Sequence, residues 1–281
     1  MHHGDENKTK PARLTRRGFV AGSSMMLLGA AHDSSQSPGQ SALSSAGPAD
    51  PKLIQDLAAA NRILANQGVV DGYGHVSVRH NANPNRYLLS RSLAPELVTA
   101  EDIMEFDLES NPVDARGRAT YVERFIHGQI YQSRPDVQAI VHSHSPSLIP
   151  FGACSVTLRP LYHMAAFIGE GVPIFEIRKV AGMSDMLVRD ADRGRALART
   201  LGNTSAALMR GHGAVVVGPS LPVVVGRSVY LEINATLQAQ AMALSKNPEY
   251  LSPEEAVKAT PPDNYQRAWE LWKRKALTPG K

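Results

Sequence analysis

The sequence predicts an α/β domain, and three observations carry that prediction. Stretches with apolar residues at helical spacing, such as Pro51–Asn66 and Leu221–Leu244, are interleaved with short apolar runs such as 137–141 and 214–217. Proline and glycine punctuate the junctions, with Gly68 ending one helical stretch and Pro135 another. Hydrophobic residues make up 43% of the 281, enough to bury a sizeable core.

The first 31 residues read as an address rather than as fold. Thr15-Arg16-Arg17-Gly18-Phe19-Val20 is a twin-arginine pattern, and the apolar run at 21–31 is too short to span a bilayer. Small residues at Gly29-Ala30-Ala31 offer a cleavage site. The segment resembles a signal for twin-arginine translocation, which exports folded proteins; it predicts a periplasmic protein with no stable membrane anchor once the signal is removed. A disordered basic tail is the alternative. Residues 32–50, rich in Ser, Gly, Pro and Ala, read as an unstructured linker, and 51–281 as the folded domain.

Within that domain, Leu53, Ile54, Leu57, Ala58, Ile63 and Leu64 give the first helix an apolar face. A glycine-punctuated turn then leads into an alternating strand through Val76-Ser77-Val78-Arg79. Further strands are expected at 87–89 and Ile103–Asp107, with a turn at 99–102 and a turn-rich excursion at 111–118. Thr120-Tyr121-Val122-Glu123 has the spacing of a capping box, which predicts that Glu123 bonds back to the start of its own helix. Phe125, Ile126, Ile130 and Tyr131 supply that helix's apolar face, and His127 falls on the side of Glu123. Short β-like runs follow at 156–158 and 174–177, then helices at 185–201, 221–244 and 252–258. The tail at 265–277 carries Trp269 and Trp272 on an amphipathic turn. No internal repeat and no domain boundary after residue 50 is visible.

The chemistry concentrates at three histidines. The strand at 137–141 runs into His142 and His144, which point to the same face two residues apart. Two same-face imidazoles at the end of an apolar strand make half a metal site. An apolar strand also enters Gly211-His212-Gly213 and another leaves it. The glycines let the backbone approach a neighbour and free the imidazole from local packing. A lone histidine in a turn is ordinarily a polar turn residue; beside a His-x-His strand end it becomes a candidate third ligand.

Charge and cysteine content exclude other classes. Lys and Arg number 30 against 26 Asp and Glu, and five of the basic and two of the acidic residues fall in 1–31, leaving 25 against 24. A near-neutral domain argues against nucleic acid as partner. The single cysteine, Cys154, excludes an internal disulfide framework and a cysteine-based zinc site.

Glu123, the turn Arg134-Pro135-Asp136-Val137, His142-x-His144-Ser145 and Gly211-His212-Gly213 together resemble the class II aldolase/adducin family, over roughly residues 53–245. The resemblance implies a three-layer α/β/α sandwich around a mixed, largely antiparallel sheet. It implies a divalent metal, zinc first and manganese, cobalt or nickel as alternatives, held by His142, His144 and His212. It makes Glu123 the catalytic residue and the assembly a homotetramer with sites near subunit contacts.

Departures from the sugar-phosphate aldolases narrow the substrate. Those enzymes carry Gly-Asn-x-Ser where this chain has Gly74-His75-Val76-Ser77, and a Thr/Ser-Gly turn where it has Ser90-Arg91-Ser92-Leu93. Small hydroxyl residues precede their glutamate, where this chain has Tyr121-Val122. A phosphate needs small donors and close backbone approach, so a phosphorylated sugar is not expected. His75-x-Ser77-x-Arg79 with Ser90-Arg91, and Trp269-x-x-Trp272, resemble instead a branch that decarboxylates hydroxylated aromatic or pyridine carboxylic acids. Arg79 and Arg91 would then hold a second carboxylate by bidentate bonds, or else form ordinary ion pairs. His75, Tyr121 and His163 complete the candidate substrate-binding set, with a packed core histidine as the alternative for His163 and a hydrogen bond from His127 as a means of orienting Glu123.

The expected function is therefore a metal-dependent carbon–carbon lyase acting on a small molecule. Decarboxylation of a hydroxylated aromatic acid is the first reading. Aldol cleavage of a small unphosphorylated hydroxycarbonyl compound is the second, and a non-catalytic adducin-like interaction module the third. Retention of all three histidines and of Glu123 counts against the third.

Overall fold

The computed structural model describes residues 43–169, 171–259 and 265–278. The twin-arginine segment and residues 32–42 of the expected linker lie outside the described residues. The rest of that linker is tied down: Ser45 Oγ–H and Ala46 N–H both donate to the Glu105 carboxylate, at 2.6 and 2.9 Å.

Helix α1 (Pro51–Asn66) starts where the Asp50 carboxylate accepts from Lys52 N–H at 2.8 Å and a proline fills the first turn. Strands β1 (His75–Arg79), β2 (Arg86–Ser90) and β3 (Ile103–Asp107) follow as an antiparallel meander. Next come α2 (Phe125–Ser133), β4 (Ala139–Ser143), α3 (Ile149–Ala153), β5 (Ile174–Phe175), α4 (Arg178–Ala181) and α5 (Ala191–Leu201). The chain continues through β6 (Ala206–Met209), β7 (Gly213–Gly218), α6 (Leu221–Leu244), α7 (Pro253–Lys258) and α8 (Gln266–Leu277).

The seven strands lie in the order β3-β2-β1-β4-β7-β6-β5. Neighbours are antiparallel except for β5 and β6, which pair parallel. Alternation along each strand sorts the side chains into two cores. Val76, Val78, Val141 and Val216 pack toward α1, α6 and α8. Tyr87, Ile140, Val215 and Val217 pack toward α2 and α5. Helices cover both faces, which gives the expected three layers. Fully buried side chains such as Leu57, Ile63, Ile126 and Ile130 each contribute about 1.5–3 kcal/mol.

Three local expectations change. Residues 156–158 form no strand, because α6 side chains take their backbone groups. Gln238 Nε2–H donates to Thr157 O, and its Oε1 accepts from Arg159 N–H, both at 2.9 Å. The helix expected from 185 begins only at Ala191, since Met186 takes φ +70° and Asp190 provides the cap by accepting from Arg193 N–H at 2.9 Å. Glu123 is not part of a capping box: it sits in a single 3-10 turn, Val122–Arg124, and its side chain is drawn to a distant segment instead.

Candidate metal centre and active site

β4 is the middle strand of the sheet, flanked by β1 and β7. Its apolar run carries His142 to a fully buried position, where His142 pairs with His75 on β1 and Val215 on β7. β6 and β7 are joined by a tight turn in which Gly211 adopts φ +62°. Gly213 then passes so close to β4 that a Cβ there would lie 1.9 Å from Ser143 O. That approach sets the His212 ring 4.8 Å from the His144 ring and 5.0 Å from the His142 ring, centroid to centroid.

Glu123 reaches the same point from the other chain segment. Its Oε1 accepts Val188 N–H at 2.9 Å. Its Oε2 lies 3.4 Å from His142 Nε2 and 3.3 Å from His212 Nε2, and His212 Nε2 lies 3.0 Å from His144 Nε2. The Nδ1 atoms of His142 and His212 face backbone carbonyls, Ala214 O and Met186 O, each at 3.1 Å. A carbonyl only accepts, so each Nδ1 carries a proton; each Nε2 faces Glu123, where it offers a lone pair to a cation or, carrying a second proton, donates to the carboxylate.

Burial opposes charge on Glu123, but His142 and His212 outweigh it and hold the carboxyl well below its usual range. Burial also opposes charge on His212; contact with Glu123 reverses this and lifts the ring above the ordinary imidazole value of 6.5. His144 is pushed down to about 4 by burial and by the two neighbouring histidines.

The donor set fits a divalent cation. One atom each from Glu123, His142, His144 and His212 lie within 4.8 Å of one another. His142 Nε2 is buried without a hydrogen-bond partner, the state of a nitrogen whose lone pair awaits a positive charge. Three of the ligand-atom separations, 3.0–3.4 Å, are close to the edge of about 3.3 Å in a tetrahedron with metal–nitrogen bonds of about 2.0–2.1 Å. The backbone carbonyls behind His142 and His212 are the outer partners that orient such ligands.

A cleft of about 520 Å³ opens onto this cluster, walled by Tyr73, Leu93, Tyr121 and Leu187 and also lined by His75. Tyr121 spends its hydroxyl on Leu93 O at 2.6 Å and places its ring 4.5 Å from that of His75, so it acts as wall rather than as donor. His75 is almost fully enclosed, and its Nδ1 meets His127 Nε2 at 2.6 Å. His127 therefore serves His75 and Ser77, not Glu123.

The structure does not bring the other predicted residues to the cluster. Arg79 is buried at the far end of β1, and its guanidinium donates to the carbonyls of Val137, Pro84, Tyr131 and Arg134. With four of its five N–H donors taken by backbone carbonyls, it clamps the fold and has no pair left for bidentate contact with a carboxylate. Arg91 pairs with Asp102 at 2.6 Å beside the surface. His163 is exposed and stands edge-on to Tyr162 at 4.9 Å, rather than packed in the core. Conversely, sequence reasoning missed Val188 N–H, Met186 O and Ala214 O, because a backbone group carries no residue-type signal. It also missed Tyr73 and Leu187 as walls of the cleft.

Comparisons with known proteins agree with this geometry. The pattern of the class II aldolase and adducin N-terminal domain matches residues 55–239. The chain is 37% identical to the decarboxylase tropJ of Talaromyces stipitatus over 78% of its own length and 91% of the relative's. It is 28% identical to the 3,4-dihydroxyphthalate decarboxylase of Arthrobacter keyseri, over 66% and 76% of the two chains. In fold it resembles the L-fuculose 1-phosphate aldolase of Glaciozyma antarctica, with a TM-score of 0.66, 24% identity, and 82% and 94% of the two chains covered. A pattern spanning most of the domain, and relatives named for carbon–carbon cleavage, make the chain a lyase that belongs to the class II aldolase and adducin family.

Proposed function

We propose that this lyase decarboxylates a hydroxylated aromatic or heteroaromatic carboxylic acid. The observation that carries the reading is the wall of the cleft. Tyr121 turns toward the cleft a ring whose hydroxyl is already bonded, and Tyr73, Leu93 and Leu187 add apolar surface beside it. Tyrosine rings stack on a flat aromatic substrate. The names of the two decarboxylase relatives support the same reading.

His142, His144 and His212 would hold the metal, and three imidazole donors favour zinc. When bound, that ion supplies a Lewis acid for the oxygen on which negative charge builds as the carbon–carbon bond breaks. Glu123 supplies the proton transfers. Held ionised, its carboxylate first takes the ring hydroxyl proton as a base. Glu123 then returns the proton to the ring carbon that bears the carboxylate. Carbon dioxide leaves without the bonding electron pair, which moves through the ring to the oxygen, and that oxygen is reprotonated from water. Val188 N–H fixes the carboxylate for both transfers.

The deciding assay measures carbon dioxide release from a panel of ortho-hydroxy aromatic acids beside aldol cleavage of small hydroxyketones. Carbon dioxide release by the wild type, lost in Glu123→Gln, is expected. Aldol cleavage with no carbon dioxide release would replace this reading with the aldolase one.

We also infer export by the twin-arginine route, from Arg16-Arg17 and the apolar run that follows. Fractionation of a tagged chain tests it, and a wholly cytoplasmic product overturns it. A homotetramer is inferred from the family. The exposed Tyr73, Val180 and Met183 offer apolar surface for such an assembly to cover, and light scattering reads its mass.

A further inference from the structure

A buried line of hydrogen-bonding groups runs from the interior of the α2 layer to the cleft. Tyr131 OH lies 2.9 Å from Ser77 Oγ and 3.4 Å from Gln138 O. Ser77 Oγ lies 2.6 Å from His127 Nδ1, and His127 Nε2 lies 2.6 Å from His75 Nδ1. Ser77, His127 and Tyr131 are all buried, and His75 lines the cleft.

Each contact needs one hydrogen, and among the described residues the Ser77 hydroxyl has only Tyr131 and His127 as partners, so if Tyr131 donates to it, its own hydrogen goes to His127. The Tyr131 hydroxyl has two acceptors, and the 2.9 Å contact with Ser77 is far better than the 3.4 Å contact with Gln138 O. With Tyr131 donating to Ser77, the hydroxyl hydrogen of Ser77 goes to His127 Nδ1. His127 is then protonated on Nε2 and donates to His75 Nδ1. His75 is left with its proton on Nε2, the one polar atom the ring has for the cleft. The line thus delivers a fixed N–H donor into the cleft, beside the apolar wall of Tyr121.

We propose that Tyr131, Ser77 and His127 hold His75 as its Nε2–H tautomer, and that His75 is the substrate-binding donor that selects an anionic oxygen, such as the carboxylate of an aromatic acid. The choice of ligand rests on the decarboxylase reading above; the tautomer does not. A donor whose acceptor is missing gains nothing from a neutral ring, so an aromatic acid is preferred over its decarboxylated product. Tyr131, Ser77 and His127 are positioning residues: they act through His75 and do not reach the cleft.

Two measurements on the zinc-loaded full chain test this. Long-range ¹H–¹⁵N correlation spectra should show His75 and His127 both protonated on Nε2, and Tyr131→Phe should give a mixture of His75 tautomers. A His75 protonated on Nδ1 in the wild type overturns the proposal. Calorimetry with 2,3-dihydroxybenzoate and with catechol supplies the second readout. His75→Leu should weaken the acid by about tenfold or more and leave catechol unchanged, while His75→Gln, which keeps an N–H near the position of Nε2, restores the acid to within about threefold. An equal loss for both ligands overturns the selection of an anionic oxygen. If the wild type binds neither compound and releases no carbon dioxide from any acid of the panel, the decarboxylase reading fails, and the spectra still decide the tautomer.

Discussion

Glu123 and Val188 are 65 residues apart, yet the Val188 N–H sits 2.9 Å from Glu123 Oε1 and leaves Oε2 free to face the histidines. One oxygen is anchored and the other is placed for the proposed proton transfers. Glu123→Gln keeps the size of the side chain and its carbonyl acceptor for Val188 but removes the proposed base. Activity should fall by about 10²–10⁴ while bound metal stays near one per chain. His142→Ala should lose both metal and activity, measured by elemental analysis beside the decarboxylase assay. Full activity in a metal-free His142→Ala sample would remove the metal from the chemistry.

Metal affinity should fall as the pH drops through the neutral range. The proton on His212 must leave before a metal can bind, and contact with Glu123 lifts the value at which it does so above 6.5. Affinity should therefore weaken below that value as the proton competes. His144, at about 4, and Glu123, depressed further, add no competing proton until the medium is far more acidic. Competition with a chelator from about pH 5 to 8.5 reads this slope. Glu123→Gln should move the bend to lower pH, since the partner that raised His212 is gone.

Arg79 and Arg91 should separate cleanly. Arg79→Met removes the side-chain donors to the buried carbonyls of Val137 and Tyr131, while Arg134 O keeps its bond from Val137 N–H, and should cost about 3 kcal/mol, or about 6–12 °C in Tm. Arg91→Ala removes a partly exposed pair with Asp102 and should cost less than about 1 kcal/mol. Calorimetric unfolding compares them. An unchanged Tm with a raised KM in Arg79→Met would return that residue to substrate binding.

Gly213→Ala probes the approach of β7 to β4. A methyl group would fall 1.9 Å from Ser143 O, and that oxygen belongs to backbone, which cannot swing aside. The strands must part, at a cost above about 3 kcal/mol, and His212 moves with them. Metal content should drop even in the soluble fraction. A variant with wild-type metal affinity would show that His212 does not depend on this contact.

Much of the fold was legible because periodicity reports burial: the apolar face of α1 and the runs of β4 and β7 stand where the sequence put them. His142 and His144 were legible for the same reason, as polar residues ending an apolar strand. Glu123 was half legible. Its spacing from Thr120 matched a local cap, but the Val188 N–H and two imidazoles hold it more strongly than a solvent-exposed helix end would. Arg79 was misjudged because charge suggests a ligand, whereas its side chain is spent on carbonyls contributed by three other stretches of chain. The segment before α5 was hidden because its composition is helical, and only tertiary contact fixes Met186 at φ +70°.

The same short segment holds both halves of the centre: Met186 O orients His212, and two residues on, Val188 N–H orients Glu123. A shift of this backbone by a fraction of an ångström would disturb a ligand and the acid–base group together. On the proposed roles, metal uptake and proton transfer would be tuned by one mechanical element, and neither could be altered there alone. A bound ion would in turn staple this element to β4 and β7, and the amides around Val188 would exchange with solvent far more slowly in loaded protein than in stripped protein.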